Sequence, residues 1–275
     1  MKNKILEIQD LKYAYSGENA ALRGISLDIY EGERIAVVGS NGAGKSTFFL
    51  NINGVLTPDH GTIRFRGETI SQNKKDLNKL RESVGIVFQD ADNQIIASTV
   101  MGEVSFGPMN LKLSKEEVEE RVNEALDYMN LGEFKKRAPH YCSGGEKKRI
   151  TIADIIAMHP EVIIFDEPTA SLDPLNAVIL EEVLDKLVHK GKTLLISTHD
   201  MDFAYRWAER VIVFADGNII ADGSPEEIFD DDDIRIRANL KKPILLDVRD
   251  SMVKKGLWTP EASYPKTVAQ FEKML

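Results

Sequence analysis

The chain has 275 residues, 43% of them hydrophobic and 29% charged, with a formal net charge of −9. That length allows one large or two modest domains around a sizeable core, and the acidic balance counts against a nucleic-acid binder that works by neutralising phosphates. The lone cysteine, Cys142, excludes an intrachain disulfide; no apolar run approaches the ~20 residues of a membrane helix, and Ile5-Leu6-Glu7-Ile8 after the first lysines is too short for a signal peptide.

Residues 5–30 alternate as strands do, with Ile5, Glu7 and Ile8, then Ile25, Leu27 and Ile29, around a polar turn at 13–19 that carries Tyr13 and Tyr15. Ile35-Ala36-Val37-Val38 predicts a buried strand. Gly39-Ser40-Asn41-Gly42-Ala43-Gly44-Lys45-Ser46-Thr47 follows it, and Phe48-Phe49-Leu50 opens a helix. Strand, glycine loop, Lys-Ser and helix make a phosphate loop. Its four fixed positions arise by chance in roughly one chain in a hundred of this length. Residues 62–65 and 84–88 predict further strands, the second ending at Gln89-Asp90.

A helical insert is expected over about 90–160. It opens with a loop at 91–94 and a short helix at 98–104. Ser114 and Glu117 are spaced as a capping box, followed by a face of Val118, Val122, Ala125, Leu126 and Met129, with Gly132 as the expected stop. Ser143 and Glu146 make a second capping box, ahead of Ile150, Ala153 and Ala157. The two glycines inside it each cost ~1 kcal/mol against alanine. Bare backbone at a helix start suits close approach of an anion; a cap that merely tolerates glycine is the alternative.

The continuous apolar runs at 162–165 and 193–196 predict strands buried on both faces, hence a parallel sheet. Between them lies a helix over about 176–190, packing through Ile179, Val183 and Leu187 and stopped at Gly191. Residues 211–214 and 218–221 flank Ala215-Asp216-Gly217 as a hairpin. The acidic run 230–233 is expected to be a solvated linker. Two helices follow within 240–275, separated at Trp258-Thr259-Pro260.

Phosphoryl transfer from ATP needs a phosphate cradle, a Mg²⁺ ligand, a group that orients water, and positive charge at the γ-phosphate. Lys45 suits the β- and γ-phosphates, and the Ser46 hydroxyl suits Mg²⁺. Asp166-Glu167-Pro168 ends a strand, so Asp166 is assigned to the metal and Glu167 to the attacking water, with Pro168 expected to hold Glu167 extended. His199 ends the next strand, where it can reach the γ-phosphate or support Glu167. Gln89 can touch Mg²⁺ or the water. Taken singly, each also reads as an ordinary polar strand end.

Together, the phosphate loop, Gln89, Cys142-Ser143-Gly144-Gly145-Glu146, Ile164-Phe165-Asp166-Glu167, Ser171-Leu172-Asp173 and His199 resemble the ABC-transporter ATPases in order and approximate spacing, over about residues 5–230. The resemblance implies an α/β P-loop NTPase core with an antiparallel β subdomain, a helical signature subdomain and a short C-terminal helical extension. It divides the chain into an ATP-binding domain, 1–235, and an extension, 236–275, expected to help two ATPases dimerise, with a simple packing extension as the alternative. It implies ATP and Mg²⁺ at the 39–47 loop, adenine stacked on Tyr15, and Gln89 as the Q-loop glutamine. Ser143, Gly144, Gly145 and Glu146 become the signature, Ser171 to Asp173 the D-loop, and His199 the H-loop histidine. Two such subunits, as a homodimer or heterodimer, pair head to tail, so that the signature of one caps the γ-phosphate held by the other.

Cys142 stands where the family usually has leucine, and Glu146 where it has glutamine. A carboxylate beside a γ-phosphate is repelled unless its capping role turns it back. Residues 87–94 and Ser105-Phe106-Gly107-Pro108 look like the energy-coupling-factor group, ATPases of cobalt, nickel and vitamin importers, with the cobalt importers nearest. The implied partners are integral membrane coupling and substrate-binding subunits, no nucleic acid, and the implied place is the cytoplasmic face of the cell membrane. The contact surface is expected around 89–110, with Ile95, Ile96, Val100 and Met101. Two rivals are a soluble ABC ATPase acting on nucleic acid or ribosomes, opposed by the single phosphate loop and the acidic charge, and a switch that hardly hydrolyses ATP, opposed by the intact Glu167.

Overall fold

The computed structural model describes residues 3–16, 19–170, 172–259 and 263–274. Strands β1 (Lys4–Ala14), β2 (Ala20–Tyr30) and β3 (Arg34–Val38) lead into helix α1 (Lys45–Ile52). Then come β4 (His60–Phe65), β5 (Glu68–Thr69), α2 (Lys74–Ser83) and β6 (Val84–Val87). Helices α3 (Val100–Asn110), α4 (Lys115–Tyr128) and α5 (Gly144–Ala157) form the insert. The chain continues through β7 (Val162–Phe165), α6 (Pro174–His189), β8 (Thr193–Ser197), α7 (Met201–Trp207), β9 (Arg210–Ala215) and β10 (Asn218–Gly223). It ends with α8 (Pro225–Asp230), α9 (Asp232–Ala238), α10 (Ile244–Lys254) and α11 (Val268–Glu272).

Two sheets are built from these strands. One is antiparallel, in the order β2-β1-β4-β5; the other runs β10-β9-β3-β8-β7-β6, parallel except for the β9–β10 hairpin. The apolar runs are continuous because successive side chains of the parallel strands serve two cores. Ile35, Val37, Val162, Ile164, Leu195, Ile212 and Phe214 point toward the antiparallel sheet and α1. Ala36, Val38, Ile163, Phe165, Leu194, Ile196, Val211 and Val213 point toward α5, α6 and α7. The loops after β3, β6, β7 and β8 leave the carboxyl ends of these strands, where open α/β sheets place their ligands.

Four local expectations are corrected. The short helix expected at 98–104 is eleven residues long, and Thr99 caps it by accepting from the Gly102 N–H. The α4 stop is not Gly132: Asn130 takes the left-handed backbone (φ 53), a conformation asparagine tolerates. The acidic run 230–233 is no linker. It is the junction of two helices, where the Asp231 side chain caps α9 through the Ile234 N–H, and Asp230 accepts from Lys242 and from the Tyr264 hydroxyl. Val100 is fully buried and unavailable to a partner, whereas Ile96, Phe106 and Met109 are exposed. Ser171, Gly17, Glu18 and Pro260 lie outside the described residues. The hairpin turn follows the sequence, with both Asp216 (φ 49) and Gly217 (φ 75) in the positive-φ geometry that favours Asp-Gly.

The 235/236 boundary falls inside α9. Beyond it the chain packs on its own body: Leu246 is fully buried in the helical core. Arg249 lies 4.1 Å from the Tyr264 ring centroid, and Lys242 bridges Asp230 and Asp250. No helix among the described residues is long and apolar enough to cross a membrane.

Candidate active site

The loop between β3 and α1 is fixed by close packing. A Cβ at Gly39 would lie 2.2 Å from the Phe214 carbonyl oxygen, and Gly44 combines φ 106 with a Cβ position 2.7 Å from the Ala21 carbonyl oxygen. Gly44 is also the N-cap of α1. It supplies no side-chain acceptor, so the first N–H groups of the helix are left for an anion. Lys45 Nζ donates to the carbonyls of Gly39 (2.8 Å) and Ser40 (3.1 Å). Burial pushes its ammonium below the ordinary lysine range, while Glu167 and Asp166 pull the other way.

This loop lines a cavity of about 780 Å³ together with Tyr15, Gln89, Glu167 and His199. Asn41, Gly42, Ala43, Gly44, Lys45, Ser46 and Thr47 all face it; Gly39 and Ser40 supply the carbonyls beneath Lys45. Tyr15 stands edge-on to Tyr13 (centroids 5.1 Å, planes at 87°), with its hydroxyl 3.3 Å from Thr47 Oγ1.

Asp166 and Glu167 follow β7, and both are held by Ser197 at the end of β8. The buried Ser197 hydroxyl donates to Asp166 Oδ1 (2.6 Å) and accepts from the Glu167 N–H (2.8 Å). Glu167 is not extended, as the following proline predicts; it has φ 47. The parallel pairing of β7 with β8 brings Ser197 alongside, and the Ala170 N–H closes a turn on the Glu167 carbonyl (3.1 Å). These contacts override the local preference, against a strain of roughly 1–3 kcal/mol. The turn sends Glu167 into the cavity instead of across the sheet. His199 Nε2 lies 2.9 Å from Glu167 Oε1. The approach is not aligned for a hydrogen bond, and Oε1 has no hydrogen-bond partner among the described residues. Burial pushes the Glu167 carboxyl up, opposed by His199 and Lys45 and reinforced by Asp166.

The signature residues stand apart from this cavity. Ser143 and Glu146 form the expected capping box: Ser143 N donates to Glu146 Oε2 (2.7 Å), and Glu146 N donates to Ser143 Oγ (3.3 Å). The carboxylate is thus turned back onto its own helix start, with Arg137 3.8 Å away. The two glycines differ. A Cβ at Gly144 would meet nothing within 4 Å, while one at Gly145 would lie 2.5 Å from Asn176 of α6. Asn176 is itself held by Asp173, the N-cap of α6, through Nδ2 to Oδ2 (2.7 Å) and its own N–H to Oδ1 (2.9 Å). Cys142 is buried; burial and Glu146 raise its thiol above the ordinary range.

Ser197, Asn176 and Lys148 were not singled out in the sequence. Ser197 carried a weak signal, a hydroxyl at a strand end two residues before His199. Lys148 carried none: it reads as one of three basic residues on a polar helix start. It is 3% exposed, and its Nζ donates to the carbonyls of Phe88 (2.6 Å) and Gln89 (3.0 Å). Burial lowers it to about 8, against Asp166 and Asp90.

No group of three or more histidine, cysteine and acidic side chains is placed to hold a metal among the described residues. Ser46, Gln89 and Asp166 fit Mg²⁺ of the kind that keeps most of its shell for phosphates and water: all three offer oxygen, and only one is a carboxylate. Ser197 bonds Asp166 through Oδ1, so the second carboxylate oxygen remains for the metal.

A phosphate loop on a parallel sheet, an acidic pair at the next strand end but one, and a helical insert whose last helix starts Ser-Gly-Gly define a P-loop ATPase of the ABC class. The profile of the ABC transporter family matches residues 22–170, and the chain belongs to that family. It is 48% identical over 271 residues to the energy-coupling factor transporter ATP-binding protein EcfA2 of Methanospirillum hungatei, covering 98% of this chain and 68% of that protein. It is 46% identical to EcfA of Methanococcus maripaludis, over 94% of this chain and 95% of the relative. It spans 58% of the length of a Methanosarcina mazei relative that is 44% identical. Among solved structures it resembles cbiO1 from Clostridium perfringens, described as part of the ABC transporter complex cbiONQ (TM-score 0.77, 40% identity, 91% of this chain and 99% of that one).

Proposed function

We propose that this chain is the ATP-binding, ATP-hydrolysing subunit of an energy-coupling-factor importer, carrying cobalt, another transition metal or a vitamin, and that it works peripherally at the cytoplasmic face of the cell membrane. The observation that carries the reading is the convergence of the phosphate loop, Gln89, Glu167 and His199 on one cavity, with Glu167 Oε1 free to accept a hydrogen bond.

ATP lies with its adenine against Tyr15 and its phosphates over the α1 start. Lys45 exchanges the carbonyls of Gly39 and Ser40 for β- and γ-phosphate oxygens. Ser46, Asp166 and Gln89 would hold Mg²⁺, which would supply neutralisation of charge on those oxygens. Glu167 Oε1 accepts a proton of the attacking water and aims its oxygen at the γ-phosphorus, while His199 steadies the carboxylate. Ser143 and Gly144, at the α5 start, are exposed and do not line this chain's own phosphate cavity. They fit the γ-phosphate held by a second ATPase subunit, either another copy or a close relative. The cbiONQ membership and the EcfA names of the relatives support the membrane coupling.

The test is Glu167→Gln. Binding of ATP is expected within about threefold of wild type, phosphate release is expected to fall roughly a hundredfold or more, and ATP is expected to hold a closed dimer visible by light scattering. Wild-type turnover in that variant removes Glu167 from the role. Which membrane chains co-purify with the protein tests the importer, and the substrate bound by those chains identifies the cargo.

A further inference from the structure

The segment after β6 runs along the first two turns of α5 and is fastened there three times. Gly144, Lys147, Lys148 and Thr151 fall at i, i+3, i+4 and i+7, one stripe of the helix. Lys148 Nζ donates to the carbonyls of Phe88 and Gln89. Lys147 Nζ pairs with Asp92 Oδ1 (2.6 Å). Gln94 Nε2 donates to the Thr151 carbonyl (3.4 Å), while its Oε1 accepts from the Phe88 N–H (3.1 Å). Of the three, Lys148 is the buried fastening. An ammonium is expensive to bury without partners, and here its partners are backbone carbonyls at and just before the residue that faces the nucleotide. Lys148 does not line the phosphate cavity. It lines a second cleft of about 380 Å³ that shares Gln89 and Ala170 with the first and is also lined by Gly144.

We propose that Lys148 is a positioning residue that joins the two halves of the composite site, tying the backbone of Gln89, at this chain's own nucleotide, to the Ser143–Glu146 helix start offered to the partner's nucleotide. The proposal rests on the two-subunit reading above. A shift of Gln89 toward a bound nucleotide takes its carbonyl with it, the charge-assisted bond takes Lys148, and the rigid first turns of α5 follow. A neutral side chain of similar length leaves two carbonyls without their donor and frees the helix start from segment 88–94.

The experiment compares Lys148→Met with Lys148→Arg, which keeps the charge and several donors. At saturating ATP, Lys148→Met is expected to lose turnover roughly 10- to 100-fold with its affinity for ATP within about threefold, and Lys148→Arg to recover to within about threefold of wild type. Amide hydrogen exchange then separates linkage from simple weakening. In the Glu167→Gln background, Mg-ATP is expected to protect both 88–94 and 144–151. With Lys148→Met added, 88–94 still responds and 144–151 does not. Equal protection of 144–151 with and without Lys148, or Arg failing as completely as Met, overturns the proposal. If the Met variant melts below the assay temperature, Lys148→Gln, with an amide donor for one carbonyl, is expected to give an intermediate response by the same measure. Should Glu167→Gln form no ATP-dependent dimer, the two-subunit reading falls, while the exchange comparison inside one chain still decides whether Lys148 links the segments.

Discussion

Glu167 adopts φ 47 directly before a proline, a conformation that most glutamates avoid and that the pre-proline position disfavours further. One hydroxyl does much of the work of holding it there. Ser197 has a single proton, which goes to Asp166, so its lone pairs are what the Glu167 N–H meets. Ser197→Ala therefore leaves the half-buried Glu167 N–H unsatisfied and releases the Asp166 carboxylate at the same time. Urea unfolding is expected to show a loss of about 1–3 kcal/mol, and kcat is expected to fall at least as steeply as kcat/KM; a variant with unchanged turnover would falsify the bracket. Glu146 is the contrary case. Its carboxylate is spent on its own helix cap, so Glu146→Gln, whose amide oxygen can still accept from Ser143, is expected to keep or raise ATPase activity. A tenfold or greater fall in kcat, as an order of magnitude, would mean that the charge itself is used.

At the scale of the element, α5 carries two adjacent glycines whose reasons differ. Gly145 is bare because Asn176 of α6 occupies the space a Cβ needs, whereas Gly144 faces open space. Gly145→Ala is expected to lower folding stability by about 1–3 kcal/mol through overpacking. Gly144→Ala is expected to leave the melting curve nearly unchanged and to weaken ATP-dependent pairing of subunits. Equal thermal shifts in the two variants would contradict this division. The same helix carries Asp154, whose carboxyl burial and the neighbouring Glu103 of α3 push up to about 7, while Gln94 opposes them. The folded protein therefore binds this proton more tightly than the unfolded chain, whose carboxyl keeps its ordinary value of 3.8. The corresponding stability is present at low pH and is lost as pH rises toward 7. Asp154→Asn is expected to flatten that slope and to raise stability at pH 8 by roughly 1–3 kcal/mol; a lower unfolding midpoint at pH 8 would show that the ionised carboxylate is wanted.

Across the whole molecule, the sequence carried most of the fold, because the parallel strands are short continuous apolar runs and the helix starts at Ser114 and Ser143 are written as capping boxes. It carried the phosphate loop because strand, glycines, Lys-Ser and helix stand in one run, although the space that Gly39 and Gly44 must leave bare is taken by Phe214 and Ala21. What it did not carry were contacts between residues far apart in the chain. Ser197 meets Glu167 only when β8 pairs with β7, and Lys148 meets Gln89 only when α5 folds back over β6. Burial around the insert belongs to the same class, and it decides which face is left for a membrane partner. The periodicity of α3 buries Val100 and Val104 and leaves Phe106 half exposed and Met109 at 65% exposure; Ile96, ahead of the helix, is 68% exposed. Glu103 keeps the preceding turn in place by accepting from the N–H groups of Ile96 and Ala97 (2.9 and 2.6 Å). Phe106 and Met109, three residues apart on α3, are exposed apolar side chains that fit a partner surface, and charges placed there disturb little of the chain's own core. Phe106→Asp combined with Met109→Glu is accordingly expected to leave the melting temperature and the ATP affinity of the isolated subunit unchanged, while detaching it from its membrane partners in a pull-down from detergent-solubilised membranes. Retention of those partners at wild-type levels would move the docking surface off this face of α3.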